Sequence, residues 1–254
     1  KMHTTGRSGG IVTIHDLWLA RHPEYSRKLL GQAGSSRRAI ATANRARRVV
    51  TVSEFSAREI EALYGIPRER VVVIHNGVTE EFSPVQDEQG MAVLRARWAI
   101  PSAGFILFVG GADPRKNHRV FLQAVAQSRS QLGGRAILLV GDAEHPQGSY
   151  LATARSLGLE QDVRCTGRLN REDLCRLYSY AEVFVFPSLY EGFGMPVLEA
   201  MACGAPTITS STSSLPEVAG DAALLVNPED AEALGAAMVK VLAEQSAQKF
   251  GQVD

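Results

Sequence analysis

Cysteine is scarce in this sequence: three residues of 254, at Cys165, Cys175 and Cys203. Their number and irregular spacing exclude a disulfide framework and a zinc site and point to a reducing, cytoplasmic compartment. Long hydrophobic runs are missing as well. No apolar stretch reaches the ~18 residues needed to cross a bilayer, and no leading segment has the form of a signal peptide. Net charge is also lacking, since Lys plus Arg and Asp plus Glu both total 27. That balance argues against a dedicated nucleic-acid binder.

What is present is ordinary globular material. Hydrophobic residues make up 45% and charged residues 21%, enough for one sizeable core or two modest ones. The neutral total hides an asymmetry, because residues 1–50 carry ten basic side chains against two acidic ones, Asp16 and Glu24. Arg27, Lys28, Arg37, Arg38, Arg45, Arg47 and Arg48 dominate the surplus. Residues 21–48 are then either a solvated helix face or a peripheral contact with anionic lipid or a phosphate-bearing substrate. Near anionic lipid such a contact is worth ~1 kcal/mol per basic residue.

Read along the chain, apolar runs rich in β-branched residues alternate with helical patterns. GIVTIH (10–15), RVVTVS (48–53) and VVVIHN (71–76) read as strands, separated by a helical stretch from Glu24 to Ala46 and a helix capped by Ser53 that stops at Gly65. Residues 78–102 are acidic and Pro-containing with one short helix, Gly90–Trp98, and read as a linker. Alternation then resumes with strands at 105–110, 136–141, 162–167, 183–187, 206–210 and 222–226. Helices are expected at Asn117–Gln127, Ser149–Leu157, Arg171–Tyr180 and Met195–Ala202, with a last one from Pro228 to Glu244. Such alternation predicts an α/β fold with parallel, doubly wound sheets.

Ligands of open parallel sheets bind beyond the carboxyl ends of the strands, so the loops there carry the candidate chemistry. Gly110-Gly111-Ala112-Asp113-Pro114-Arg115-Lys116-Asn117 combines two glycines, a basic pair and a following helix. The glycines permit close backbone approach, and the helix start offers amides to an anion. This loop is not Gly-x-Gly-x-x-Gly, which disfavours a nicotinamide enzyme. The second loop runs from Phe186 to Met201 and holds Glu191, Gly192, Phe193, Gly194, Leu198 and Glu199. Glu199 sits among apolar neighbours on the following helix, where a carboxylate needs a hydrogen-bonding partner. A vicinal diol suits it, as the acid of a dinucleotide fold holds a ribose; capping of a backbone group is the plainer alternative.

The E-x7-E spacing of Glu191 and Glu199 resembles that of retaining glycosyltransferases with the GT-B fold, and EGFGMPVLEAMACGAP is similar to the form of glycosyltransferase family 4. The neighbouring segments agree in order: VTIHDL (12–17), RHPE (21–24), VTVSEFS (50–56), VVVIHNGVTEEFSP (71–84), VGGADPRKN (109–117), LYSYAEVFVFPSLYEGFG (177–194) and SLPEVAGDAALLVNP (214–228). Within the family, VTIHDL, RHPE and PRKN look most like mannosyltransferases or related enzymes of bacterial polysaccharide assembly.

The resemblance implies two Rossmann-like domains. One is an acceptor-side domain over residues 1–86, which lacks the strands the family places before VTIHDL. The other is a sugar-nucleotide domain over 87–254, without the family's final crossing helix. Glu191 would hold the donor sugar with amides around Phe193 and Gly194, and Glu199 the ribose, with Gly192 and Leu198 beside them. Lys116 and Arg115 would hold the diphosphate against Gly110 and Gly111, the latter standing where the family usually has arginine. His15 would face the transferring sugar. With no D-x-D motif, the departing charge falls to amides, Arg115 and Lys116, and no metal or cofactor is implied.

The expected activity is retaining transfer of a hexose, mannose-like and from a donor such as GDP-mannose, to a hydroxyl of a glycan or lipid-linked acceptor at the cytoplasmic face of the membrane. A sugar-nucleotide epimerase or hydrolase and a non-catalytic nucleotide-sugar-binding fragment are the alternatives. Because its acceptor half keeps only three strands, the chain alone is expected to bind a sugar nucleotide yet transfer sugar poorly.

Overall fold

The fold is described from a computed structural model, which places residues 2–5, 9–22, 35–145 and 148–250. Contacts divide the chain into two compact units. The first comprises Lys1–Gly77 with two later segments, Tyr190–Gly194 and Ser213–Val218; the second comprises Val78–Leu189, Met195–Thr212 and Ala219–Asp254.

The first unit contains β1 (Met2–Thr5), β2 (Ile11–Ile14), α1 (Trp18–Arg21), α2 (Ser35–Arg45), β3 (Arg48–Thr51), α3 (Glu54–Tyr64) and β4 (Val71–Val73). Its sheet runs β1-β2-β3-β4, with β2, β3 and β4 parallel and β1 antiparallel to β2. Three strands were expected, and the fourth is short, antiparallel and devoid of a long apolar run. Val12, Ile14, Val49 and Val71 point to a core closed by Ala43, Ala57 and Ile60 of the helices. The Ser53 hydroxyl caps α3 by accepting the Ser56 amide at 3.0 Å. Gly65 ends the helix with a left-handed φ of 64°, a conformation that disfavours any residue with a Cβ. The strand expected at 71–76 stops at Val73, and its last rung is the Ile74 amide bonded to the Thr51 carbonyl. The expected helical stretch 24–46 is seen only as α2, and Pro23, Glu24, Arg27 and Lys28 lie outside the described residues.

The second unit continues with α4 (Glu88–Arg97), β5 (Phe105–Val109), α5 (His118–Ser128), β6 (Ala136–Val140), a two-rung hairpin β7 (Glu144–His145) and β8 (Gly148–Ser149), and α6 (Tyr150–Ser156). There follow β9 (Val163–Gly167), α7 (Arg171–Tyr180), β10 (Val183–Phe186), α8 (Met195–Ala202), β11 (Thr207–Ser210), α9 (Leu215–Ala219), β12 (Leu224–Val226) and α10 (Ala231–Phe250). Of α9, Leu215–Val218 belong to the first unit and only Ala219 to the second. The linker expected at 78–102 belongs to this unit and contains α4, whose Asp87 cap accepts the Gly90 amide.

All six strands of the main sheet are parallel, in the order β12-β11-β10-β5-β6-β9. This is the doubly wound order, in which the winding direction reverses between β5 and β10. β6 and β10 are buried along their whole length and β5 along all but its last residue. That burial is why they read as unbroken Val/Ile/Leu/Phe runs. Among the described residues, no helix is long and apolar enough to cross a membrane.

Candidate functional site

The reversal point directs attention to the loops after β5 and β10. After β5 the chain makes a single helical turn, Pro114–Lys116, before α5. Asp113 starts the turn by accepting the Arg115 amide at 2.9 Å. Asn117 ends it in the left-handed region at φ 60°. Its buried amide donates to the carbonyls of Pro187 at 3.0 Å and Pro228 at 2.6 Å, tying together the loops after β5, β10 and β12. The Arg115 carbonyl in turn accepts the Leu189 amide and the Ser188 hydroxyl.

This anchoring fixes the two cations. The Arg115 guanidinium is mostly buried, its Nε 3.9 Å from the Asp113 carboxylate and without a hydrogen-bond partner among the described residues. The Lys116 stem lies on Gly110, where a Cβ would meet its Cγ at 3.2 Å. Its Nζ sits 5.0 Å from the centroid of the Phe186 ring. Gly110 is also crowded from the far side: a Cβ on Gly141 would fall 2.2 Å from the Gly110 carbonyl, which accepts the Tyr150 hydroxyl. Gly111 differs, since a Cβ there would meet only the Asp142 carbonyl at 3.8 Å. Close packing therefore demands glycine at 141, where a Cβ would strike backbone, while a Cβ at 110 would press only the Lys116 stem and 111 has room for a side chain.

Glu199 lies on α8 and is half-buried, with Leu198 beside it; its neighbours in sequence suggested deeper burial. The Tyr178 hydroxyl donates to its Oε2 at 3.2 Å, while Oε1 bonds nothing among the described residues. Burial pushes the Glu199 carboxyl up from its ordinary range, against the lowering pull of the Tyr178 hydroxyl. Tyr178 was not singled out from the sequence; the aromatic in LYSYAEV reads as core, and it is fully buried. A ladder of rings connects the two groups. Lys116 lies over Phe186, Phe186 stacks at 6.0 Å on Phe184, and Phe184 meets the Tyr178 ring edge-on at 5.3 Å. One face of β10 thus leads from the cationic turn to the glutamate.

His15, Glu191, Gly192, Phe193 and Gly194 fall in the first unit. Glu191 lies in the loop beyond β10, which stops at Phe186. The residue is buried, and its amide donates to the Ser213 hydroxyl at 3.1 Å. His15 follows β2, and its carbonyl would lie 2.0 Å from a Cβ on Gly192, so only glycine allows that approach. The Tyr190 hydroxyl accepts the Leu17 amide at 3.3 Å. Among the described residues the amides of Gly192, Phe193 and Gly194 donate to nothing. Buried amides are rarely left so, and their clustering beside a buried carboxylate suits a polar ligand.

Known proteins resemble the chain along most of its length. The family model for glycosyl transferases group 1 matches residues 103–244, and that for glycosyltransferase family 4 matches residues 6–82. O-antigen chain mannosyltransferase B of Escherichia coli is 33% identical over 238 residues, covering 93% of this chain and 62% of its own length. The chain thus spans less than two thirds of that relative. Among solved structures, sucrose-phosphate synthase from Thermosynechococcus elongatus superimposes with a TM-score of 0.74 at 28% identity, over 94% of this chain and 60% of the synthase. HepE from Anabaena, in complex with UDP and glucose, gives 0.71 at 22% identity over 96% of this chain and 71% of its own; at that identity the likeness is one of fold. The fold expected from the sequence, GT-B with Rossmann-like parallel sheets, is the fold found.

Proposed function

Because the chain belongs to the glycosyl transferases group 1 family, we propose that it serves a glycosyltransferase that moves a hexose from a nucleoside diphosphate sugar to a hydroxyl acceptor. The observation that carries this reading is the ring ladder on β10, with the Lys116 cation at one end and the Tyr178-bonded Glu199 at the other. Lys116 and Arg115 are assigned to the diphosphate and Glu199 to the ribose diol. Glu191 and the amides of Gly192, Phe193 and Gly194 are assigned to the sugar hydroxyls, and His15 to the transferring sugar. Residues 1–86 form the acceptor-side domain and 87–254 the donor domain in this reading, in line with family matches at 6–82 and 103–244.

The chemistry assigned to these residues needs no metal. As the anomeric C–O bond breaks, negative charge grows on the departing diphosphate, where Lys116 and Arg115 stabilise it. Preorganised groups of this kind supply much of the rate in such reactions. No carboxylate is assigned as nucleophile. The acceptor hydroxyl attacks the same face that the diphosphate leaves, its proton passes to the leaving phosphate, and configuration is retained. Mannose is the sugar favoured, on the name of the Escherichia coli relative, with GDP-mannose as donor. The acceptor is a glycan or lipid-linked sugar, met at the cytoplasmic face of the membrane with residues 21–48 toward anionic lipid.

The test is nucleotide release from GDP-mannose, UDP-glucose and ADP-glucose, with and without glycan acceptors, and NMR of the product anomer. Release that needs acceptor and gives the donor's anomeric configuration supports retaining transfer. Release without acceptor supports a hydrolase, and binding without release a nucleotide-sugar-binding module.

A further inference from the structure

Three buried serines surround the loop that carries Glu191. The Ser53 hydroxyl donates to the Gly192 carbonyl at 2.7 Å, and the Ser56 hydroxyl donates to the same oxygen at 3.1 Å. The Ser214 hydroxyl reaches the Glu191 carbonyl at 2.9 Å and the Phe193 carbonyl at 2.7 Å, sharing its proton between them. All three residues are fully buried. A helix cap alone does not require this arrangement, because Ser53 caps α3 through its lone pair and donates to Gly192 with its proton.

Peptide planarity turns these bonds into an orientation. In a trans peptide the C=O and the following N–H point in opposite directions. Holding the Gly192 carbonyl on Ser53 and Ser56 aims the Phe193 amide away from those serines. Holding the carbonyls of Glu191 and Phe193 on Ser214 aims the amides of Gly192 and Gly194 away from it. These are the three amides that donate to nothing among the described residues. Peptides of Gly192 and Gly194 are otherwise free to flip, since glycine lacks the Cβ that restricts its neighbours.

We propose that Ser53, Ser56 and Ser214 are positioning residues for the donor sugar: they lock the peptide planes of residues 191–194 so that three amides stay presented beside Glu191. The inference rests on the reading that this loop holds the sugar. It adds that half of the lock comes from α3 and its cap, remote in sequence.

Calorimetric titration of GDP and GDP-mannose separates the lock from simple structural support. (The UDP and UDP-glucose pair is used if thermal shift selects uridine.) Ser56→Ala leaves the α3 cap intact, and Ser214→Ala touches the other side of the loop. Each is expected to weaken the sugar nucleotide about tenfold, the worth of one hydrogen bond, with the diphosphate within twofold of wild type. Ser56→Thr, which keeps the hydroxyl, should restore the affinity. Equal weakening of both ligands, or of neither, overturns the proposal. Glu191→Gln is titrated alongside. If it alone spares the sugar nucleotide, the role of Glu191 fails and the lock stands; if it alone weakens it, the lock fails.

Discussion

The turn after β5 presents cations whose places are set by side-chain packing and by one buried asparagine. The loop at 190–194, by contrast, presents backbone amides whose directions are set by serine hydroxyls. In the first, Lys116 rests on Gly110 and Phe186, and Asn117 pins the turn to two neighbouring loops. In the second, Ser53, Ser56 and Ser214 grip carbonyls, and Gly192 lets the chain pass against His15. A cationic turn tolerates changes in backbone detail, because a long flexible side chain can adjust. An amide array cannot, since a flipped peptide turns a donor into an acceptor.

Asn117→Ala should show the largest effect. It leaves two buried carbonyls without donors and places alanine at φ 60°, for a cost of about 3–5 kcal/mol. Chemical denaturation would measure it, and a loss below about 1 kcal/mol would mean that the turn holds itself. Gly192→Ala comes next. Its Cβ would meet the His15 carbonyl at 2.0 Å, against 3.8 Å to the nearest atom for Gly111→Ala. Backbone displacement of that kind costs about 1–3 kcal/mol, whereas Gly111→Ala should stay within about 0.5 kcal/mol. Equal costs for the two glycines would erase the contrast between the loops.

The two glutamates should part kinetically. Glu199→Gln is expected to raise the donor KM, because the ribose diol proposed for it does not change in the reaction. Glu191→Gln is expected to lower kcat, because the contact proposed for it is with the sugar being transferred. Identical signatures in steady-state kinetics would argue against separate roles. Glu199 carries a second, smaller consequence. Burial raises its carboxyl above the unfolded value near 4.5, so the charge it bears above that range opposes folding. Glu199→Gln should therefore raise the melting temperature of the unliganded chain near pH 7 while reducing the shift that nucleotide produces.

The smallest effect concerns Glu217, which accepts the α3 amides of Glu54 at 2.7 Å and Phe55 at 3.1 Å and pairs with His75 at 2.7 Å. Burial pushes its carboxyl up, but the two amides and His75 outweigh that and hold it below the ordinary value of 4.5. A lowered carboxyl stabilises the fold above its unfolded pKa and loses that contribution as pH falls through the folded one. The wild type should accordingly lose up to about 1 kcal/mol more than Glu217→Gln as pH drops below 4.5. Parallel stability curves for the two would contradict this.

What the sequence made legible follows the same division. β5, β6 and β10 are buried on both faces, so their runs of Val, Ile, Leu and Phe identify them without reference to anything distant. Ser53 and Gly65 mark the ends of α3 by local chemistry alone. The gripping interactions are different in kind: Ser53 reaches across 139 residues to Gly192, and Tyr178 across 21 to Glu199. Neither pairing leaves a periodic trace, and both serines and tyrosines have plainer uses. The antiparallel β1 and the hairpin of β7 and β8 were missed because two to four residues carry too little pattern.

The central claim is that the β5–β10 crossover binds a nucleoside diphosphate through Lys116. Thermal unfolding of the wild type and Lys116→Ala with GDP, UDP and ADP, each beside its plain nucleoside, addresses it most directly. At 100 times its Kd, one diphosphate should stabilise the wild type by ~2.7 kcal/mol. Losing a charge-assisted contact weakens binding roughly ten- to a hundredfold, which leaves at most about 1.4 kcal/mol in the variant at the same concentration. The plain nucleoside should act equally on both chains. A wild-type chain that no diphosphate stabilises, or a Lys116→Ala chain stabilised as much as the wild type, would contradict the claim.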